Sequence, residues 1–136
     1  MNTRLTSSLL LTGCLVLGAW VTGCANNTAG ISAASSGDSR VDSSAVSRQV
    51  KIDQLMSRRQ GDLLQGSAVL VSQKSTDIRL QYKFTWFDID GISRDDESNS
   101  WQALTLHGKA HKQVQGLAPN PQAVSFEIYV RESHSN

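Results

Sequence analysis

An alternating stretch at residues 78–91, IRLQYKFTWFDIDG, constrains the fold of this chain more than any other. Its apolar and aromatic side chains fall on every second residue, at Ile78, Leu80, Tyr82, Phe84 and Trp86. A period of two is typical of a strand with one buried face, and the branched and aromatic composition agrees. The final Asp-Ile-Asp-Gly is typical of a turn, since Asp caps turns and Gly accepts a positive φ. The stretch therefore predicts a long central strand that runs into a hairpin.

Further short alternating or apolar runs flank this strand. They fall at residues 50–52, 63–72, 101–107, 113–117 and 123–131. Gly66, inside the second run, suggests a bulge. We predict an exposed turn at residues 57–62, and a hairpin turn at residues 73–77 that leads into the central strand. Together these runs predict an all-β domain, an antiparallel β-sandwich of about six to seven short strands.

The N-terminus has the pattern of a lipoprotein signal. Arg4 supplies a positive charge, residues 9–21 form an apolar segment too short to span a membrane comfortably, and VTGC at residues 21–24 resembles the bacterial lipobox. We predict a signal peptide at residues 1–23 that is removed before Cys24, whose thiol and new amine are then acylated. Cys14 fits the local pattern, but too few apolar residues precede it. The alternatives are an ordinary signal peptide and an uncleaved anchor.

Acylation of Cys24 would attach the protein to a membrane. Each buried CH₂ group contributes about 0.8 kcal/mol, so two or three acyl chains hold a protein there essentially permanently. Residue 25 is Ala, whereas Asp at that position retains enterobacterial lipoproteins at the inner membrane. We therefore expect a lipid-anchored protein of the bacterial outer membrane that faces the periplasm.

Composition divides the chain after the anchor. Residues 24–47 are rich in Ser, Ala, Asn and Gly and show no sustained period, which predicts an acylated Cys followed by a flexible tether. The β-sandwich domain is expected at residues 48–132, and residues 133–136 form a polar tail.

Charge and cysteine usage exclude several classes of protein and site. Arg4 is the only charged residue before Cys24, which leaves 12 basic and 12 acidic residues from Cys24 onward. This balance gives no support for nucleic-acid binding, which usually needs a basic excess. Cys14 and Cys24 are the only cysteines, so the domain can form neither a disulfide nor a Cys-rich zinc site. Nucleotide-binding and nucleophile-elbow motifs are missing, and we predict no cofactor and no catalytic residues.

Two groups of residues are weak candidates for a metal site. Asp88, Asp90 and Asp95 belong to an acidic segment, and calcium prefers several carboxylates in one loop. They lack the ligand spacing of an EF-hand, so a solvated hairpin tip is the main alternative. His107 and His111 have a zinc spacing only if they are helical, whereas the sequence between them predicts a turn. We therefore expect no metal.

The polar side of the central strand is the candidate partner-binding surface. Arg79 and Lys83 lie on this side, with Arg58 and Arg59 as further cations that could lie near, and could form a basic patch. Phe87 also falls on it, and an exposed aromatic on a sheet is a candidate contact for a partner. A merely solubilising strand face is the alternative for the charges, and a bulge or a second buried layer is the alternative for Phe87.

Several motifs resemble the YcfL family of bacterial outer-membrane lipoproteins, a domain of unknown function. They are RRQGDL at residues 58–63, YKFTWFDIDG at 82–91, WQALTLHG at 101–108, and an Ala-Pro segment before the last strand. The resemblance covers most of residues 50–131. It implies a periplasm-facing, immunoglobulin-like β-sandwich in Gram-negative bacteria, and it supplies no catalytic residues.

We therefore expect a non-catalytic envelope lipoprotein whose sandwich binds an envelope protein or a cell-wall partner. The alternative is a small enzyme or glycan-binding module that acts on peptidoglycan through the acidic loop and exposed aromatics. A purely structural or stress-related surface protein is a third possibility.

Overall fold

The computed structural model describes residues 29–94 and 100–134. The predicted signal peptide, Cys24 and the candidate ligand Asp95 lie outside these residues. The described chain forms two antiparallel sheets that share one hydrophobic core. This confirms the prediction of an all-β, antiparallel β-sandwich.

Eight strands and one short helix make up the described chain. Their order is β1 (Gly30–Ala34), β2 (Ser39–Val41), α1 (Ser44–Ser47), β3 (Val50–Gln60), β4 (Leu63–Ser72), β5 (Ile78–Phe87), β6 (Gln102–Leu106), β7 (His111–Leu117) and β8 (Ser125–Glu132). The larger sheet has the strand order β2-β1-β8-β5-β6, and the smaller sheet has the order β3-β4-β7. Within residues 29–94 and 100–134, no helix is long and apolar enough to cross a membrane.

The predicted central strand is β5, which pairs with β8 on one side and with β6 on the other. Its apolar side faces the smaller sheet, and Trp86 is only 1% exposed. Phe84 stacks on Trp86 with ring centroids 5.7 Å apart, and Phe126 of β8 packs against these rings at 5.5 and 5.8 Å. The alternation in the sequence therefore identifies both the strand and the centre of the core.

Two glycines of the smaller sheet let these rings approach its backbone. A Cβ on Gly66 would lie 2.8 Å from the Phe126 ring, and a Cβ on Gly116 would lie 2.9 Å from the Phe84 ring. The bulge predicted at Gly66 is wrong, because the pairing of β3 with β4 is regular there and its irregularity lies between Asp53 and Met56. Gly66 is needed for the close approach of a ring.

Two predicted connections differ from the structure. The turn predicted at residues 57–62 is shorter, because β3 continues to Gln60 and the chain turns at Gly61, whose φ is +60°. Residues 73–77 do not form a hairpin, because β4 pairs with β3 and β7 while β5 belongs to the other sheet. Stacked sheets lie about 10 Å apart, a distance that five residues span easily. Loop length therefore did not distinguish a hairpin from a crossing between sheets.

Most of the predicted tether belongs to the folded domain. Strand β1 pairs with β8 along its whole length, and β2 extends the sheet beyond β1. Ile31 of β1 is 6% exposed and Val46 of α1 is 2% exposed, and both belong to the core. The domain therefore begins near Gly30 and not at residue 48. Composition misses this segment because its small residues join the sheet mainly through backbone hydrogen bonds.

Neighbouring strands run in opposite directions, so the connections gather at two ends of the sandwich. The N-terminal end contains the start of β1, helix α1, the connections at residues 73–77 and 107–110, and the end of β8. The tip end contains the connections at residues 35–38, 61–62, 88–94 and 118–124. Strand β5 runs from the N-terminal end to the tip end.

Candidate functional site

The three residues predicted to contact a partner lie on one surface. Arg79, Lys83 and Phe87 alternate with the core residues of β5 and therefore face away from the smaller sheet. We call this side of the larger sheet the outer face. Its polar and aromatic members include Arg40, Arg79, Gln81, Lys83, Phe87, Trp101, Glu127, Tyr129 and Arg131.

Arg131 lies over the indole ring of Trp101 on one half of the outer face. Its Cζ is 3.9 Å from the ring centroid, well within the roughly 6 Å over which a cation–π interaction acts. Arg131 Nε also donates a 3.0 Å hydrogen bond to Gln81 Oε1. A planar cation and a flat ring are thus held in a defined orientation at the surface.

A second Arg–aromatic pair lies on the other half of the outer face. Arg40 Cζ is 5.8 Å from the ring centroid of Tyr129, and the Tyr129 hydroxyl donates a 2.8 Å hydrogen bond to Glu127 Oε2. Arg40 Nε lies 3.1 Å from Asp42 Oδ2. Lys83 is the cross-strand partner of Tyr129. The outer face therefore carries two Arg–aromatic pairs and a lysine beside one of them.

Phe87 lies in a depression at the tip end of the outer face. The depression has a volume of about 380 Å³ and is lined by Ala34, Ser36, Asp38, Ser39, Arg40, Phe87, Gly91, Ser125, Phe126 and Glu127. Phe87 is half-buried, so it is not the isolated exposed ring that the sequence suggests. Groups of both charge signs surround this aromatic ring, and the space can accept a large side chain or a sugar ring.

Asp88 organises the loop that follows β5. Its Oδ1 accepts the N–H groups of Asp90 and Ile92 at 3.0 and 2.9 Å. Its Oδ2 accepts Nε and Nη2 of Arg94 at 2.9 and 2.7 Å. Gly91 completes the turn with a φ of +77°. Both carboxylate oxygens are therefore occupied by the loop itself.

These contacts keep Asp88 ionised to lower pH. The hydrogen bond from the Ile92 N–H is the main cause that lowers the pKa of Asp88 below its ordinary value. Burial opposes this effect, whereas Arg94 and the N–H of Asp90 reinforce it. The side chain is only 6% exposed. Asp88 therefore has a structural task, which leaves it little capacity as a metal ligand or a proton donor.

Among the described residues, the other weak metal candidates form no metal site with Asp88. Asp90 is exposed at the turn, and Asp95 lies outside the described residues. His107 and His111 flank the turn that leads into β7, and His107 Nδ1 lies 3.1 Å from Asp77 Oδ1 at the surface. Within the two described stretches, no group of three or more His, Cys, Asp or Glu side chains could hold a metal ion.

Arg58 and Arg59 do not extend the outer face. Both lie in β3 of the smaller sheet, where Arg58 Nε donates a hydrogen bond to Gln65 Oε1. Arg59 Nη1 reaches the carbonyl oxygens of Asp62 and Pro121 at 2.9 and 3.4 Å. The basic patch predicted from the sequence therefore does not include them.

A groove lies on the outer side of the smaller sheet, and the sequence gives little indication of it. Its volume is about 500 Å³, and its lining residues are Met56, Ser57, Arg58, Gln65, Ser67, Gln113 and Gln115. Gln65 Nε2 donates a 2.9 Å hydrogen bond to Gln115 Oε1. The alternating glutamines of β7 are the signal that could have indicated it. Because its amides bond to one another, we consider the outer face the stronger candidate site.

Two solved structures resemble this chain over most of its folded part. A DUF1425 family member from Shewanella sp. pv-4, a crystal structure at 1.81 Å, is 42% identical and has a TM-score of 0.60; the match covers 79% of this chain and 99% of that chain. The crystal structure of Campylobacter jejuni cj0090 is 25% identical with a TM-score of 0.53, and the match covers 63% of this chain and 88% of that one. The chain matches no curated protein. Residues 37–132 match the family described as "Protein of unknown function (DUF1425)", and the chain belongs to this family.

Proposed function

We propose that this chain is a non-catalytic, lipid-anchored protein of the Gram-negative cell envelope that binds a protein partner through its outer face. Within its family we assign it to the YcfL type of outer-membrane lipoprotein, on the motifs at residues 82–91 and 101–108. The observation that carries the proposal is the presence of two Arg–aromatic pairs on an open sheet face.

The anchor is supported by the sequence before the fold. The apolar segment, the lipobox and Cys24 stand in the order that lipoprotein processing requires. Ala25 favours release to the outer membrane. The domain begins at Gly30, so acylation would hold it close to the membrane in the periplasm.

The side chains of the outer face are those that dominate binding energy between proteins. Trp, Tyr and Arg are enriched at interface hot spots, where a few residues supply most of the affinity. Trp101 and Arg131 already hold each other in place, so binding loses less side-chain entropy. The depression around Phe87 lies on the same face and can receive a side chain of the partner.

Two carboxylates at the tip end, those of Asp88 and Glu127, are engaged in contacts within the chain, which favours binding over hydrolysis. Glycoside hydrolysis needs two carboxylates that flank the scissile bond. Asp88 is bonded to its own loop, and Glu127 accepts the Tyr129 hydroxyl. The second candidate function is a peptidoglycan-binding module, and the aromatic depression at Phe87 is the observation that favours it.

Site-specific photocrosslinking in living cells tests the proposal. A photoreactive residue at position 79 lies on the outer face, and one at the exposed position 113 lies on the smaller sheet as the control. We expect a discrete protein adduct from position 79 and none from position 113. Equal background from both positions would argue against a protein-binding outer face.

Two further measurements separate the other parts of the proposal. Incorporation of a clickable fatty acid should be lost in Cys24→Ala, and label that persists would place the acylation elsewhere. Retention of the protein on purified sacculi without turnover of peptidoglycan fragments would favour the glycan-binding module. Turnover of the fragments would refute a non-catalytic role.

A further inference from the structure

Little chain separates the proposed anchor from the first strand. Strand β1 begins at Gly30, so only residues 25–29 lie between it and Cys24. An extended chain spans at most about 3.3–3.6 Å per residue, which limits the distance from Cys24 to Gly30 to about 20 Å. With Cys24 at a membrane, the start of β1 at the N-terminal end of the sandwich therefore lies within about 20 Å of the lipid headgroups.

The N-terminal end is one continuous surface. The carbonyl oxygen of Gly30 accepts the N–H of Ser43 at 2.9 Å, which joins the start of β1 to the segment that leads into α1. Gln73 Nε2 donates a 2.8 Å hydrogen bond to the Ser47 carbonyl, and Lys109 Nζ donates one of 2.8 Å to the Gln73 carbonyl. Helix α1 and both connections are thus linked and face the same way.

This end is basic, although the chain after the signal is neutral. Its basic residues are Arg48, Lys51, Lys74, Arg79, Lys109, Lys112 and Arg131. Its acidic residues are Asp42, Asp53, Asp77 and Glu132. All the basic residues except Arg131 are exposed, so most of this charge is accessible from solution.

The tip end has the opposite balance. Its described basic residues are Arg58, Arg59 and Arg94, and its described acidic residues are Asp38, Asp62, Asp88, Asp90 and Glu127. The antiparallel fold therefore separates charges that cancel when they are summed along the chain.

Charge separation of this kind orients a tethered domain at an anionic surface. The field of such a surface extends over a Debye length, about 8 Å at physiological ionic strength. Within this range each Lys or Arg raises affinity for anionic lipid about fivefold. The connection of at most about 20 Å lets the basic end reach this range. Attraction then holds the basic end at the surface, while the acidic tip end is repelled.

We propose that the N-terminal end of the sandwich docks on the anionic phospholipid headgroups of the membrane, so that its strands stand upright. This inference rests on the proposed acylation of Cys24. Strand β5 then rises from Arg79 near the headgroups to Phe87 about 27 Å above it, at about 3.4 Å per residue. The outer face then points along the membrane plane, toward a partner that is bound to the same membrane or spans it.

Fluorescence quenching on nanodiscs tests this orientation. The acylated chain is purified from cells and carries a fluorophore on an introduced cysteine. The cysteine is Ser75→Cys at the N-terminal end or, as the control, Gln60→Cys at the tip end. Both positions are exposed. The discs carry a headgroup quencher in either phosphatidylglycerol-containing or pure phosphatidylcholine bilayers. We expect the ratio of quenching at position 75 to that at position 60 to be at least twofold higher on the anionic discs, and 0.5 M salt to abolish the difference. The same ratio on both kinds of disc would overturn the proposal.

Charge reversal tests which residues are responsible. The double variant Arg48→Glu/Lys74→Glu should reduce the quenching ratio to its phosphatidylcholine value, whereas the matched Arg58→Glu/Arg59→Glu variant at the tip end should not. An equal effect of both variants would show that only net charge matters and would refute docking by the N-terminal end. Unchanged unfolding midpoints establish that both variants fold. The mass of the purified chain tests the anchor separately. A chain without acyl groups refutes the proposed function. An acylated chain whose quenching ratio is the same on anionic and phosphatidylcholine discs refutes only the orientation.

Discussion

Trp101 and Arg131 meet across the outer face although β6 and β8 are not neighbouring strands. Trp101 immediately precedes β6, Arg131 belongs to β8, and β5 lies between these two strands. The Arg131 guanidinium carbon is nevertheless 3.9 Å from the centroid of the indole ring. The contact between Trp101 and Arg131 therefore depends on the pairing of β5 with both β6 and β8.

This relationship predicts a measurable coupling between the two residues. In a double-mutant cycle, Trp101→Ala and Arg131→Ala should show a coupling of about 0.5–1 kcal/mol in the free energy of unfolding, as exposed cation–π pairs do. Urea denaturation of the four proteins measures it. A second cycle of Trp101→Ala with Arg79→Ala is the control, and it should give a coupling near zero. Equal couplings in both cycles would mean that the contact is not specific.

Because β1 belongs to the domain, shortening the side chain of Ile31 should lower the stability of the protein. Ile31→Ala should lower the free energy of unfolding by about 2–3 kcal/mol, since it leaves a cavity in the core. Ile89→Ala is the matched control, because Ile89 is 82% exposed and its loss should change stability by less than about 0.5 kcal/mol. Chemical denaturation compares the two. If both variants unfolded at the wild-type midpoint, residues 30–34 would belong to a tether after all.

The Asp88 loop predicts a dependence of stability on pH. The pKa of Asp88 is lower in the folded protein than in the unfolded chain, so the unfolded state binds more protons as the pH falls. The stabilisation by Asp88 is therefore complete above about pH 5 and disappears as the pH falls through the folded-state pKa, below about 4. Asp88→Asn should lower the unfolding temperature at pH 7, and its difference from wild type should shrink below pH 4.

Thermal unfolding of wild type, Asp88→Asn and Asp90→Asn between pH 2.5 and 7 measures this dependence. Asp90 is the control because it lies at the exposed part of the same turn. A difference between Asp88→Asn and wild type that stays constant over the whole range would show that ionisation of Asp88 does not stabilise the loop.

A buried hydroxyl beneath the outer face predicts a stabilising substitution. Ser32 is 3% exposed, and its Oγ has no hydrogen-bond partner among the described residues. It is the cross-strand neighbour of Arg40 and Tyr129. Because an unpaired buried polar group costs about 1–3 kcal/mol, Ser32→Ala should raise the free energy of unfolding by about 1 kcal/mol. The same substitution at the exposed Ser75 should leave it unchanged, and a Ser32→Ala protein less stable than wild type would reveal a bond to the hydroxyl.

The alternation of apolar and polar residues allowed some strands to be predicted from the sequence. In β5 and β8 every second residue is apolar, and a strand with one buried face requires this pattern. The predicted β4 has the observed bounds, Leu63–Ser72. In β1, by contrast, Ile31 is the only large apolar side chain, so the pattern is too weak to distinguish a strand from a tether.

The candidate site was predictable only within one strand. Arg79, Lys83 and Phe87 share a face of β5 because the period of a strand is two. Their neighbours Trp101, Tyr129 and Arg131 come from β6 and β8, and their placement depends on strand order and register. Neither property can be derived from a local pattern. The separation of charge between the two ends of the sandwich could not be predicted from the sequence either, because it depends on the direction of each strand.

The most direct test of the binding surface combines crosslinking with the Trp101–Arg131 contact. The photoreactive residue is kept at position 79, and Trp101→Ala is introduced beside it on the outer face. We expect the protein adduct seen with Trp101 to be lost in Trp101→Ala, while the chain still folds and still carries its acyl groups. An adduct of unchanged yield in Trp101→Ala would contradict the claim that the outer face binds the partner through its Arg–aromatic pairs.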